Sequence, residues 1–237
     1  ACVDTLAGGD DRELHDLMRE VVSAKEREIG RAFWNATFAG PEFADQFSLA
    51  TALLPAEAAG GGTEEALRYL VELRPRLGQA DLVIDGQQLE SHFHALQNHR
   101  YGGQLLHALE TLTHTLDGVA GALEQRLEQR AVCLNGRPTP NAHVLHTVFG
   151  KFYAGRVQPY LARVHRRSQT YFALIDRLAE TTDAPGAFAA YREAQLRPDT
   201  PHGPQARFAA AIQRHAAAWQ RLFDQCGLSA APLTSVQ

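Results

Sequence analysis

Four of the chain's eleven histidines, His92, His94, His99 and His107, fall within residues 91–107, around the pair Gly102–Gly103. Imidazoles at this density suit three kinds of chemistry. They can ligate a metal or a haem iron, move protons beside a bound substrate, or simply hydrogen-bond water on an exposed helix. Which of these applies depends on which rings face inward, and helical geometry sorts them, because each residue advances about 100° around the axis.

Along residues 104–123, Leu105, Leu109, Leu112, Leu116, Val119 and Leu123 form one apolar stripe. His107, Glu110, His114 and Asp117 form a second stripe nearly opposite it. The second stripe has metal-ligand residue types but lies on the side away from the leucines, so a solvated polar face is expected there. The last helical stretch gives the reverse result. Phe208, Ile212, His215, Trp219 and Leu222 share one face, which puts His215 in the middle of an apolar stripe. A histidine buried there must satisfy its ring nitrogens within the core or meet a ligand. In the opening stretch Leu89, Phe93 and Leu96 make the apolar face, His92 and His99 flank it, and His94 points away. His143 and His146 lie beside the Leu145–Val148–Phe152 stripe, outside it.

The elements that would position these rings are helices. Periodicity predicts helices over about 11–35, 64–76, 87–99, 104–131, 141–180 and 205–224. Residues 36–63 read as irregular, with Gly60–Gly62 as a flexible stretch, and "ADLVID" at 80–85 is the only β-like run. "CLNGRPTPN" separates two of the helices, and "RPDTPHGP" at 197–204, with three prolines, ends the segment before it. The expected fold is an all-α, single-domain helical bundle over residues 1–237, with a haem pocket between helices if the buried histidine is a ligand. The leucine stripe at 105–123 can pack within the domain or against a second copy, which leaves a homo-oligomer open.

Composition narrows the function. A net charge of −4 lacks the basic excess of a nucleic-acid-binding surface. No run of about 18 apolar residues suggests a membrane span. The three cysteines, Cys2, Cys133 and Cys226, are odd in number and far apart, with no CxxC or CxxCH, so a reducing cytoplasm is the expected compartment. The start reads as a chain that has lost its initiator Met, the alternative being a lipoprotein remnant modified at Cys2. Alanine and arginine outnumber isoleucine and lysine, as in high-GC bacterial proteomes. Nucleotide and nucleophile-elbow motifs are missing.

The stretch "HALQNHRYGGQLLHALETL" resembles the tryptophan 2,3-dioxygenase superfamily, which includes haem-dependent tyrosine hydroxylases. Gln104-Leu105-Leu106-His107-Ala108-Leu109 matches the family's Q-[IL]-L-H-x-L helix, and His94 lies ten residues before Gln104, where the family's distal histidine stands. The resemblance covers fewer than twenty residues. It implies an all-helical protein binding haem b, with His94 (then His92) as distal acid–base group and His215 (or His202) as the iron ligand. It also implies Arg100 or Arg156 on a substrate carboxylate, and Tyr101, Phe149, Phe152 and Tyr153 around an aromatic ring. The chain is shorter than the dioxygenases and lacks their Gly-Thr-Gly-rich substrate loop. The hydroxylase-like branch is therefore the expected activity: oxygenation of a tyrosine-like amino acid by O₂ or peroxide. Two alternatives stand beside it. One is a non-haem bundle oxidase using Glu90, Glu110, His107 and His114, although no Glu-x-x-His pair is present. The other is a helical binding or regulatory protein without catalysis.

Overall fold

The computed structural model describes residues 12–48, 52–56, 61–79, 81–180, 184–197 and 199–229, and among these every regular element is helical. Helix α1 (Arg12–Ala36) is followed by the short α2 (Pro41–Phe47), which starts on a proline whose missing N–H costs nothing in a first turn. Helix α3 (Gly61–Leu73) tightens into a 3₁₀ turn, Arg74–Arg76, at Pro75. Helix α4 (Gly86–Asn98) is capped by Asp85, whose carboxylate accepts from the amides of Gln87 and Gln88. Helix α5 (Tyr101–Gln129) is the longest continuous α-helix among the described residues. Helix α6 (Pro140–Val148), capped by Thr139, runs through a π-helical stretch, Phe149–Val157, into α7 (Gln158–Glu180). The short α8 (Gly186–Tyr191) passes into a π turn, Arg192–Leu196, and α9 (Pro204–Gln225) closes the chain.

The long helices pack as their apolar stripes require. Helix α5 lies along α9 and also meets α7 and α2; α3 packs on α4 and α7. The main core joins Leu105 and Leu109 of α5, Val164, Phe172 and Ile175 of α7, Leu67 and Leu70 of α3, and Phe208 of α9, all buried. Each such side chain contributes about 1.5–3 kcal/mol on removal from water. The leucine stripe of α5 is thus used inside the domain at Leu105, Leu109 and Leu116, while Val119 remains 37% exposed.

Three local expectations are corrected. Residues 36–63 are not all irregular, since α2 lies within them and α3 begins at Gly61. The described residues of the β-like run, 81–85, form no strand: a turn at Asp81 leads through irregular backbone to α4. Gly102–Gly103, which as glycines could end or kink the helix before them, instead sit in the first turn of α5, and the chain turns at His99–Arg100.

The cysteine expectation also changes. Cys133, after α5, and Cys226, after α9, form a disulfide with Cα atoms 5.0 Å apart, although 93 residues separate them. The α5–α9 pairing brings the ends together, which sequence spacing could not reveal. Cys2 lies outside the described residues.

Candidate functional site

The Gly-Gly motif is explained by a buried polar knot. Gln46 of α2 is fully buried; its amide nitrogen donates to the carbonyls of Leu96 (2.8 Å) and His99 (2.6 Å), and its side-chain oxygen accepts from the Gly102 amide at 3.0 Å. The Tyr171 hydroxyl donates to the Gln46 backbone carbonyl at 3.1 Å. A Cβ on Gly102 would stand 2.1 Å from the Tyr171 hydroxyl and 2.3 Å from that carbonyl, so only glycine fits this close approach. Next door, Tyr101 donates to Glu64 Oε1 at 2.8 Å, and Arg167 reaches the same oxygen at 3.1 Å. Burial and the Glu64 carboxylate push the Tyr101 hydroxyl pKa well up, so it stays a protonated donor.

Of the other residues singled out near this motif, all but His92 face outward. His94 is exposed and bonds Asn98 at 2.7 Å; His99 is exposed and bonds the Ala95 carbonyl at 2.9 Å. His92 is half-buried, stacked on Tyr69 with ring centroids 4.3 Å apart, and its Nε2 is buried without a partner. Arg100 is exposed and paired with Asp45 at 3.0 Å. Arg156 is exposed on the π stretch. The structure therefore does not gather His92, His94, Arg100 and Tyr101 around one cavity.

His215 sits as its stripe requires, 3% exposed, with its ring 4.6 Å from that of Tyr153 on the π stretch. Burial pushes its pKa down to about 4, so the ring is neutral near pH 7. Trp219 Nε1–H donates to His215 Nε2 at 3.1 Å. An indole nitrogen can only donate, so Nε2 holds the lone pair and the neutral ring's proton resides on Nδ1. Nδ1 has no partner. An iron ligand needs a free lone pair, and neither nitrogen offers one while Trp219 stays in place. His202, the competing candidate, is exposed on the turn before α9, with φ at +71°. His94 lies on α4, which packs on α3 and α2, whereas α9 packs on α5 and α7. These residues do not fit a haem held between a proximal His215 and a distal His94. Among the described residues no group of three or more His, Cys, Asp or Glu side chains is placed to hold a metal ion. The polar stripe of α5 is partly used: Asp117 pairs with Arg214, and His114 is exposed.

What the structure does offer is a cavity of about 320 Å³ between α1, α3 and α4. Its walls include Ile29 and Phe33 of α1, Leu70 and Leu73 of α3, and Leu89 and Phe93 of α4. Thr37, the only hydroxyl in the lining, is spent on the Phe33 carbonyl at 2.7 Å. Ile84 stands at the rim, 40% exposed. No charged side chain lines the space. Leu89 and Phe93 were readable as an apolar face, but nothing in the sequence says that α1 stops short of filling the gap beside them.

A family model described as "Protein of unknown function (DUF3080)" matches residues 1–230. The chain belongs to that family. No curated protein matches it, and no solved structure does. Among the described residues no helix is long and apolar enough to cross a membrane.

Proposed function

We propose that this DUF3080 chain is a non-catalytic helical binding protein that takes a compact, uncharged apolar molecule into the α1–α3–α4 cavity. The observation that carries this reading is the lining of this open-mouthed cavity: hydrocarbon side chains throughout, with the one hydroxyl already hydrogen-bonded. Such a space favours an apolar guest over water, because water there would lack polar partners. The buried polar groups elsewhere have the character of stitching: Gln46, Tyr101 and Glu64 hold helices together. The disulfide adds a reading of compartment. Disulfides persist in oxidising surroundings, so an oxidising compartment fits this chain better than a reducing cytoplasm.

The test is titration with a neutral solvatochromic dye, 1-N-phenylnaphthylamine. Dye emission should rise and shift blue on wild-type protein. Ala32→Phe, at an exposed position of the lining, should weaken binding about tenfold or more by closing the mouth. Equal affinity in both proteins would sink the proposal. Hemin titration tests the oxygenase expectation separately: a Soret band lost in His215→Ala would restore it. Thiol labelling of protein taken from cells under non-reducing conditions tests the compartment, with Cys133 and Cys226 expected to resist until reduced.

A further inference from the structure

A second opening, about 690 Å³, lies where the last turns of α5 meet the 131–139 loop, the start of α6 and Leu222 of α9. Its floor is hydrocarbon: Val119, Leu123, Leu145 and Leu222. Its rim carries two guanidinium groups, Arg126 and Arg130. Of the nearby carboxylates on α5, Glu124 pairs with Arg214 at 2.6 Å and Arg221 at 2.9 Å, and Asp117 pairs with Arg214 at 3.2 Å, while the exposed Glu128 forms no ion pair with either rim arginine. Arg126 donates one N–H to the Arg130 carbonyl, and among the described residues neither arginine has a carboxylate in ion-pair range. A guanidinium presents several N–H donors in a planar fork, so most of this donor capacity remains open.

The wall opposite α5 is fixed in advance. Cys133 is tied to Cys226, the Val132 amide donates to Gln225 Oε1 at 2.7 Å, and Thr139 caps α6. A preset wall lowers the ordering cost of binding. Positive rim, carbon floor and rigid wall together select a particular solute.

We propose that this cleft binds an anionic amphiphile: a carboxylate or phosphate head on a hydrocarbon body, with Arg126 and Arg130 on the head and Val119, Leu123, Leu145 and Leu222 beneath the body. This site is separate from the α1–α3–α4 cavity in lining and in ligand charge.

Fluorescence tests it. The chain has two tryptophans, and Trp219 packs on Phe149 and Phe223 in the cluster that includes Leu123, Leu145 and Leu222. In a Trp34→Phe background, monomeric dodecanoate or dodecyl phosphate should change Trp219 emission saturably; which of the two binds more tightly identifies the head group. Arg126→Gln with Arg130→Gln should weaken the tighter probe about tenfold or more. Arg126→Lys with Arg130→Lys, which keeps the charge, should retain most of the affinity. Ala32→Phe should leave it unchanged. Because both arginines are exposed, melting curves should overlay wild type. The proposal is overturned if neither probe binds, if the glutamine pair binds as wild type does, if dodecanol or dodecyltrimethylammonium binds as tightly, or if Ala32→Phe abolishes binding.

Discussion

Around Gly102, elements far apart in sequence are joined by hydrogen bonds: Gln46 to His99, 53 residues on, and Tyr171 to Gln46, 125 residues back. Around His215 the joining is done by carbon and sulfur. Trp219 stacks on Phe223 and Phe149 packs against both rings, the Cys133–Cys226 link closes the end, and one imidazole N–H is left unpaired in the core. An unsatisfied buried polar atom costs about 1–3 kcal/mol, so the second region tolerates a defect that the Gln46 side chain avoids by using both its nitrogen and its oxygen. The comparison shows how a histidine on an apolar stripe can be held in the core by a neighbouring indole. It also shows that a glycine beside histidines can be required by close packing alone.

The largest expected effect breaks the covalent side of this comparison. Replacing both Cys133 and Cys226 by serine should destabilise the chain by about 4 kcal/mol, because a long loop is released in the unfolded state. Chemical denaturation of wild-type and variant protein measures it. A change near zero would mean that the aromatic cluster alone holds the α5 and α9 ends together.

Next comes the hydrogen-bonded side. Gly102→Ala should cost about 3 kcal/mol, since neither the Tyr171 ring nor the Gln46 backbone can retreat cheaply from a close-packed core. Gly103→Ala, at the neighbouring buried glycine, is the comparison, because the knot's hydrogen bond is made by the Gly102 amide. Equal effects of the two would show that the knot does not set the motif.

The unpaired imidazole gives a pH signature. His215 titrates near 6.5 when unfolded and near 4 when folded, so the unfolded chain takes up the proton first. Its contribution to stability is therefore intact above about pH 6.5 and falls as pH drops toward about 4. By about pH 5 the loss should be roughly 2 kcal/mol. His215→Gln should flatten the stability difference between about pH 7 and pH 5 by that amount. An unchanged slope would mean that water or a partner reaches the Nδ1 side.

Much of the fold was legible because long amphipathic helices announce themselves. The expected 87–99 and 205–224 became Gly86–Asn98 and Pro204–Gln225, with Asp85 and Pro204 as readable start signals. His215's inward face followed from the same periodicity. What escaped reading was set by tertiary contact. The π stretch at Phe149–Val157 follows a periodic α-pattern in sequence, yet in the fold it lets Phe149 and Tyr153 stack at 5.0 Å. The Cys133–Cys226 link depends on how α5 and α9 pack, and the Gly102 requirement depends on Tyr171, far along the chain. Cavities were least legible of all, because a space is defined by residues that fail to meet.

The smallest expected effect concerns charge across the same α5–α9 seam. Arg214 precedes His215 and reaches both Asp117 and Glu124, yet all three side chains are solvent-accessible. Exposed ion pairs gain little, since water and salt screen them and long side chains lose freedom. Arg214→Met should therefore shift the melting temperature slightly at low ionic strength and not measurably at about 1 M NaCl. The Glu124 carboxyl, held below the usual carboxylate range mainly by its hydrogen bond from Arg214, should move back toward that range. A large, salt-insensitive loss of stability would instead mean that Arg214 acts through its hydrocarbon stem against α5. The seam beside His215 would then rest on packing of that stem as well as on the aromatic cluster and the disulfide.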